Sequence, residues 1–256
     1  HAVLQAALKQ AVKERLIPYN PCENCRIPPK DKKEMTILPP EKIGRYLQEA
    51  EKYGVLPMFY LELSSGLRRG ELLALQWEDL NVKERILTVN KQVTRMEGEL
   101  DVTEPKTKNS VRKVALSQQA VDLLVQEHEQ HPDNPILFPS PRTGGYWSPD
   151  AVSRINRKLL KSAGIEEHVR FHDLRHTFAT MAISSGVDVK TLSSMLGHFS
   201  AGFTLDTYTH ITNDMQRGAA EKIGGFMESV TAANTPEPPD SPEENRCKVI
   251  PFEKVG

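Results

Sequence analysis

Cysteine is scarce. The 256 residues hold three, too few for a disulfide framework, which fits a reducing compartment. Cys22 and Cys25 form one C-x-x-C in NPCENCRIPP, but a zinc ribbon needs a second pair, and Cys247 stands alone in a polar tail. A coincidental pair in a linker is the expectation. Long apolar runs are missing too. No stretch approaches the ~20 residues that would span a bilayer, and no signal peptide opens the chain, so a cytosolic protein without a membrane partner is expected. Charge of one sign is also lacking, with 33 Lys and Arg against 34 Asp and Glu. That balance argues against binding nucleic acid through the overall field and leaves such contact to local clusters. Residues 1–227 carry 30 basic and 28 acidic residues, the remainder six acidic and three basic. No internal repeat is present. The first residue is His1, inside the periodic pattern Leu4, Ala7, Leu8, Val12 and Leu16, and the expectation is a piece of a longer protein.

What is present is chiefly helical. Residues 1–17 read as one helix and 18–35, rich in proline and charge, as a linker. A body over 36–227 follows. TILPPEKIGRYLQEAEKYG places Pro39 or Pro40 in a first turn and a stop at Gly54; PMFYLELSSG and LRRGELLALQW continue the helical pattern. From Arg85 the period changes to two. RILTVN, KQVTRM and RKVALS read as strands, with Glu97-Gly98 and Asn109-Ser110 as turns, so a small antiparallel sheet is set in a mainly α domain, an α+β fold. Helices resume with Ser117, Ser148 and Asp188 as N-caps, with Gly164 and Gly186 as stops, and a last one lies around NDMQRGAAEKIGGFM. Residues 228–256, acidic and proline-rich, read as a disordered tail.

The decapeptide FHDLRHTFAT, residues 171–180, admits two chemistries. His172 and His176 are four apart, like two metal ligands on one helical face, with His198 as a conceivable third. Asp173 stands where a zinc hydrolase carries glutamate, however, and Arg175 would put a permanent cation beside the dication. His172 and Arg175, three apart, instead make a cationic pair suited to a phosphate, where a guanidinium offers two parallel donors. Other segments join the second reading. In SSGLRRGELLAL, Gly66 permits close approach and Arg68 opens a helix whose free N–H groups would add to the attraction for an anion; Arg69 reads as a surface salt bridge. TEPKTKNSVRKVALS sets Lys106, Lys108, Arg112 and Lys113 on a hairpin. A lysine there can protonate a leaving oxygen if neighbouring cations lower its pKa, while Lys108 and Lys113 read as DNA-backbone contacts. LGHFSAGFTLDTYTHI supplies His198 and Tyr208, a weak nucleophile that a field of cations would activate.

The segments GLRRGELLALQW, PKTKNSVRKVAL, HDLRHTFAT, LGHFS and LDTYTHI, in that order over about residues 36–227, resemble the tyrosine recombinases, also called the phage integrase family. LGHFSAGFTLDTYTH most resembles integrases of conjugative transposons and temperate phages of Gram-positive bacteria. The resemblance implies a tyrosine recombinase catalytic domain in which Arg68 and Arg175 grip the scissile phosphate. It further implies that Lys106 protonates the departing 5′ oxygen, His172 assists proton transfer from the nucleophile, His198 hydrogen-bonds the phosphate, and Tyr208 forms a 3′-phosphotyrosyl bond. Glu71 is implied as an orienting residue behind the arginines, and His176 as a packed bystander. No cofactor, metal or ATP is implied. The partners implied are double-stranded DNA carrying attachment sites, a homo-tetramer on that DNA, and accessory directionality or DNA-bending proteins, in a bacterial cytoplasm. Residues 1–17 would be the end of a core-binding domain. Rival readings are a type IB topoisomerase-like relaxing enzyme, a non-catalytic DNA-binding protein on the same scaffold, and a metal hydrolase.

Overall fold

The computed structural model describes residues 1–28, 36–96, 98–103, 111–197 and 220–229, and the chain divides into two compact units, His1–Thr36 and Ile37–Gly256. In the first, α1 (Ala2–Lys13) is shorter than the sequence pattern suggests; the backbone leaves the helix at Glu14 and turns through a left-handed Arg15 with φ 58°. Asn20 then folds the next segment back. Its Nδ2 donates to the Gln5 carbonyl at 3.2 Å, and its Oδ1 accepts the Cys22 N–H at 3.0 Å. Part of the expected linker therefore belongs with α1. Cys25 Sγ donates to the Pro21 carbonyl at 3.3 Å.

The second unit is mainly helical with small antiparallel sheets, the expected class. Its helices are α2 (Pro40–Lys52), α3 (Leu56–Ser65), α4 (Arg69–Ala74), α5 (Gln118–Glu129), α6 (Pro149–Ser162), α7 (Phe171–Ser184) and α8 (Val189–Leu196), with a further helix, α9, over 220–229. Start signals act largely as read. Pro40 and Pro149 occupy first turns, Ser117 accepts the Ala120 N–H, and Asp188 accepts the Thr191 N–H. Ser148 holds the N-cap position of α6 without a capping hydrogen bond from its side chain.

Among the described residues five short strands form two sheets rather than one: β1 (Leu80–Asn81), β2 (Ile86–Val89), β3 (Gln92–Met96), β4 (Glu99–Thr103) and β5 (Arg112–Ala115). One sheet runs β1-β2-β5, and β3-β4 form a separate hairpin. The sequence pattern missed β1, which has two residues, and β4, whose ELDVT alternates but leaves Leu100 and Val102 exposed on their shared face. The turn expected at Asn109-Ser110 lies outside the described residues. In the β2-β5 register, Leu87 faces Val114 and Val89 faces Arg112. Alternation along the strand thus sends Arg112 inward beside Val114 and leaves Lys113 outward. A guanidinium on the core face of a strand needs a counter-charge, and that need positions the site.

The core lies where α3 packs against α2, α5 and α7. Phe59 of α3 meets Tyr46 and Phe171 edge-to-face, with ring centres 5.8 and 5.7 Å apart. Leu61, Leu72, Leu87 and Leu124 are fully buried around them, each contributing about 1.5–3 kcal/mol relative to exposure. Buried polar ties fix the helices. The Tyr46 hydroxyl donates to Asn156 Oδ1 at 2.6 Å, and Asn156 Nδ2 donates to the Val169 carbonyl at 2.9 Å, just before α7. Thr177 Oγ1 accepts the Leu38 N–H and donates to the Asp173 carbonyl, both at 2.9 Å.

Candidate active site

Three arginines from different elements converge: Arg68 at the start of α4, Arg112 on β5 and Arg175 on α7. Glu71, only 2% exposed, joins the first two. It accepts the Arg68 backbone N–H at 2.9 Å and Arg68 Nη1 at 2.7 Å, and it takes Arg112 through two parallel bonds of 3.0 and 2.8 Å. Burial alone would raise the Glu71 carboxyl, but Arg112 and then Arg68 outweigh it and hold it below its ordinary value. The sequence reading had Glu71 as an orienting residue; Arg112, read only as part of a basic hairpin, is its second partner. The expected helix-terminal attraction is reduced, because Glu71 engages the Arg68 N–H.

Carbonyls at helix ends hold the guanidiniums from the other side. Arg175 Nη1 donates to the Gly66 carbonyl at 2.7 Å and Nη2 to Leu196 at 2.6 Å, so this residue ties the end of α3 to the end of α8. Arg68 Nη2 reaches the Gly197 carbonyl at 2.9 Å, and Arg112 Nε reaches Met195 at 2.6 Å. Both glycines are required by shape. Gly66 and Gly197 are left-handed, at φ 61° and 63°; a Cβ at Gly66 would lie 2.3 Å from a Phe178 ring carbon, and one at Gly197 3.1 Å from the Arg112 side chain.

The cations outnumber their carboxylates. Arg175 is 4% exposed, and burial, followed by the charge of Arg68, lowers it to about 10 despite the opposing pull of Glu71. Arg68 keeps its side chain 38% exposed, so the cluster opens to solvent on one side. An anion reaching that side would relieve the repulsion between Arg68 and Arg175, so the cluster can hold one.

His172 stands on the first turn of α7, exposed, and its imidazole is held below its usual value by partial burial and then by Arg175. The His172 and His176 rings meet edge-to-face, 5.1 Å apart. Asp173 accepts the Arg170 backbone N–H at 2.8 Å and its guanidinium at 3.0 and 2.8 Å, so the carboxylate that a metal-bound water would use is engaged. Among the described residues no three His, Cys, Asp or Glu side chains come together as metal ligands. Among the described residues Arg69 forms no salt bridge; its Nη1 donates to Ser153 Oγ at 2.7 Å and to the Pro149 carbonyl at 3.3 Å, bracing α6. Beside the arginines opens a cavity of ≈ 530 Å³ lined in part by Arg69, Ser153, Arg157, His168, Arg170 and His172. Lys106, Lys108, His198 and Tyr208 lie outside the described residues.

His176 is half-buried, and burial, then the neighbouring His172, lowers it to about 4 from 6.5. Below pH 6.5 the unfolded chain takes up a proton that the folded chain refuses. The stability associated with this ring is therefore complete above that value and is lost as pH falls toward 4. His176→Gln is expected to flatten the loss by about 1 kcal/mol, the ring's partial exposure being allowed for, with little effect on chemistry. Thermal unfolding compared at neutral and acid pH reads this, and an unchanged acid slope would refute it.

A family model, described as the Phage integrase family, matches residues 38–215. The ICEBs1 integrase of Bacillus subtilis (strain 168) is 31% identical over 230 residues, 85% of this chain and 62% of that protein. A XerC-like tyrosine recombinase of Caldanaerobacter subterraneus subsp. tengcongensis is 29% identical over 252 residues, 88% of this chain and 64% of that protein. The chain thus spans less than two thirds of the length of these relatives. In fold it is similar to the Tn1549 transposon integrase, solved in complex with a circular intermediate DNA, with TM-score 0.72 and 22% identity over 86% of this chain and 76% of that one.

Proposed function

The chain belongs to the phage integrase family, and from that premise we propose that it is a site-specific DNA recombinase that cleaves and rejoins strands through Tyr208, integrating or excising a mobile element. The observation that carries this reading is the pair Arg68 and Arg175, cross-tied to consecutive carbonyls at Gly197 and Leu196 and left with more positive charge than Glu71 can balance. A phosphodiester bound there meets fixed donors that need no reorganisation as negative charge develops in the pentacovalent state.

In the proposed reaction the Tyr208 hydroxyl attacks the scissile phosphorus, its proton passing with the help of His172, whose imidazole partial burial and then Arg175 hold below its usual value. The bond to the 5′ oxygen breaks as Lys106 protonates it, and His198 hydrogen-bonds a phosphate oxygen. The 3′-phosphotyrosyl bond keeps the energy of the broken phosphodiester. A 5′-hydroxyl from another strand reverses the step without ATP. The names of relatives such as the ICEBs1 integrase and the Tn1549 transposon integrase support a mobile element as the context.

The partner is double-stranded DNA, whose backbone the cavity lined by Arg69, Arg157 and Arg170 suits. A homo-tetramer on DNA is the proposed assembly, with accessory proteins biasing direction. Ile223, Phe226 and Met227 of α9, exposed at helical spacing, supply an apolar face for docking on a neighbouring protomer. The setting is the bacterial cytoplasm.

The test is to incubate the chain with a nicked duplex carrying the element's attachment site and resolve products under denaturing conditions. A covalent protein–DNA adduct is expected with wild type and none with Tyr208→Phe. No adduct with wild type, or an adduct with Tyr208→Phe, would sink the proposal.

A further inference from the structure

Glu62 is the oddest residue behind the arginines. It lies on α3, one turn before Gly66, and its own carbonyl accepts the Gly66 N–H at 2.9 Å, while the Gly66 carbonyl takes Arg175 Nη1 at 2.7 Å. Its side chain is fully buried, and among the described residues neither carboxylate oxygen has a hydrogen-bond partner. Among the described residues it forms no ion pair, although buried carboxylates ordinarily demand one. Packing alone gives no reason for a carboxyl here, since leucine would fill the same kind of space.

The surroundings explain its state. From α7 comes Arg175, from β5 Arg112, from α4 Glu71 and from α2 the phenol of Tyr46; α5 brings only apolar Ala120, Val121 and Leu124 to its buried face. Burial pushes the Glu62 carboxyl well above its ordinary value, the arginines pull it back only in part, and Glu71 adds to the rise. The same neighbourhood raises the Tyr46 phenol, through burial and then Glu62.

We propose that Glu62 is a charge-regulating positioning residue: an un-ionised carboxylic acid behind Arg175 that adds no negative charge to the arginine cluster beside that of Glu71, and whose ionisation withdraws positive charge from the phosphate site. With the proton on, the surplus charge of the cluster is available to an incoming phosphate. With it off, Glu62 becomes a second internal counter-ion and competes with that phosphate. A bound anion makes the ionised form less favourable still, so occupancy of the site and protonation of Glu62 reinforce each other.

Two measurements on the full chain decide it. The infrared spectrum of the wild-type protein at neutral pH is expected to contain the C=O band of an un-ionised buried carboxyl, which fades on titration to alkaline pH and is absent from Glu62→Gln. Binding of a short fluorescent DNA duplex of arbitrary sequence is then followed against pH. Wild type is expected to lose about three- to tenfold more affinity than Glu62→Gln as pH rises through the alkaline range; loss of lysine protons is common to both proteins and cancels. A missing wild-type band overturns the proposal without any variant, and superimposed affinity profiles overturn the regulating role. That second arm rests on the reading of the arginines as a phosphate site. Failure of that reading is distinguishable, because Arg68→Ala would then leave duplex affinity unchanged, while the band would still report the Glu62 proton.

Discussion

Arg175→Lys is expected to slow cleavage of a nicked DNA duplex by about 10²–10³-fold under single-turnover conditions, the scale of losing one preorganised donor to a developing oxyanion. The substitution keeps the charge and loses the fork. In the native chain one guanidinium spans the Gly66 and Leu196 carbonyls, at 2.7 and 2.6 Å, and still has N–H groups to offer an anion. An ammonium on a flexible stem cannot hold both carbonyls and aim a donor at a phosphate oxygen together. Stability should fall as well, because each lost hydrogen bond to a charged group contributes about 1.5–3 kcal/mol. The two effects separate when cleavage is measured well below the variant's melting temperature. Cleavage within about threefold of wild type would show that Arg175 serves the fold and not the reaction.

The sequence made the site legible where chemistry depends on residue type and order. Arg68, Glu71, His172 and Arg175 were named from motifs, and the structure brings Arg68, Glu71 and Arg175 into one cluster with His172 in the field of its charges. Three-dimensional pairing was not legible. Arg112 belongs to the same hairpin motif as Lys106, but nothing in a single sequence says which of the basic residues turns inward; the β2-β5 register decides it by placing Arg112 opposite Val89. Glu62 sits in a run of apolar helix and gives no sign there of having no partner. A signal was available, since a carboxyl among Leu61, Leu63 and Phe59 is unusual on a buried helix. The split into two sheets has another cause: the apolar face of β4 consists of Leu100 and Val102 alone, both exposed, and β1 is too short to show a period. Arg69 illustrates the opposite failure. Its neighbour Arg68 pairs with a carboxylate, and the same outcome was expected for Arg69, yet it hydrogen-bonds α6, 80 residues or more along the chain.

Glu71→Ala is expected to cost about 3–5 kcal/mol of folding stability, the range for breaking a buried ion pair from one side. The reason lies in what is left behind. Arg112 is 8% exposed, and two of its bonds end on Glu71; the Met195 carbonyl, which it also engages, carries no net charge to offset it. Arg68 loses its backbone and side-chain acceptor together. The guanidiniums then repel one another with Glu71 gone from between them, and the first turn of α4 loosens. Removing both partners should cost less. In Glu71→Ala combined with Arg112→Met one buried guanidinium fewer is left without its carboxylate, and replacing both members of a buried pair is often close to neutral. Urea unfolding of the two single variants and the double closes the cycle: the double should be more stable than Glu71→Ala, with a coupling energy of about 1–3 kcal/mol. Acid adds an independent reading. Because the arginines hold the Glu71 carboxyl below its ordinary 4.5, its contribution is present above that value and disappears as pH falls through the depressed one; Glu71→Ala should therefore lose the corresponding part of the acid transition. If the two proteins show the same acid slope, or if the double variant is no more stable than Glu71→Ala, Glu71 is not the counter-ion that holds this cluster together.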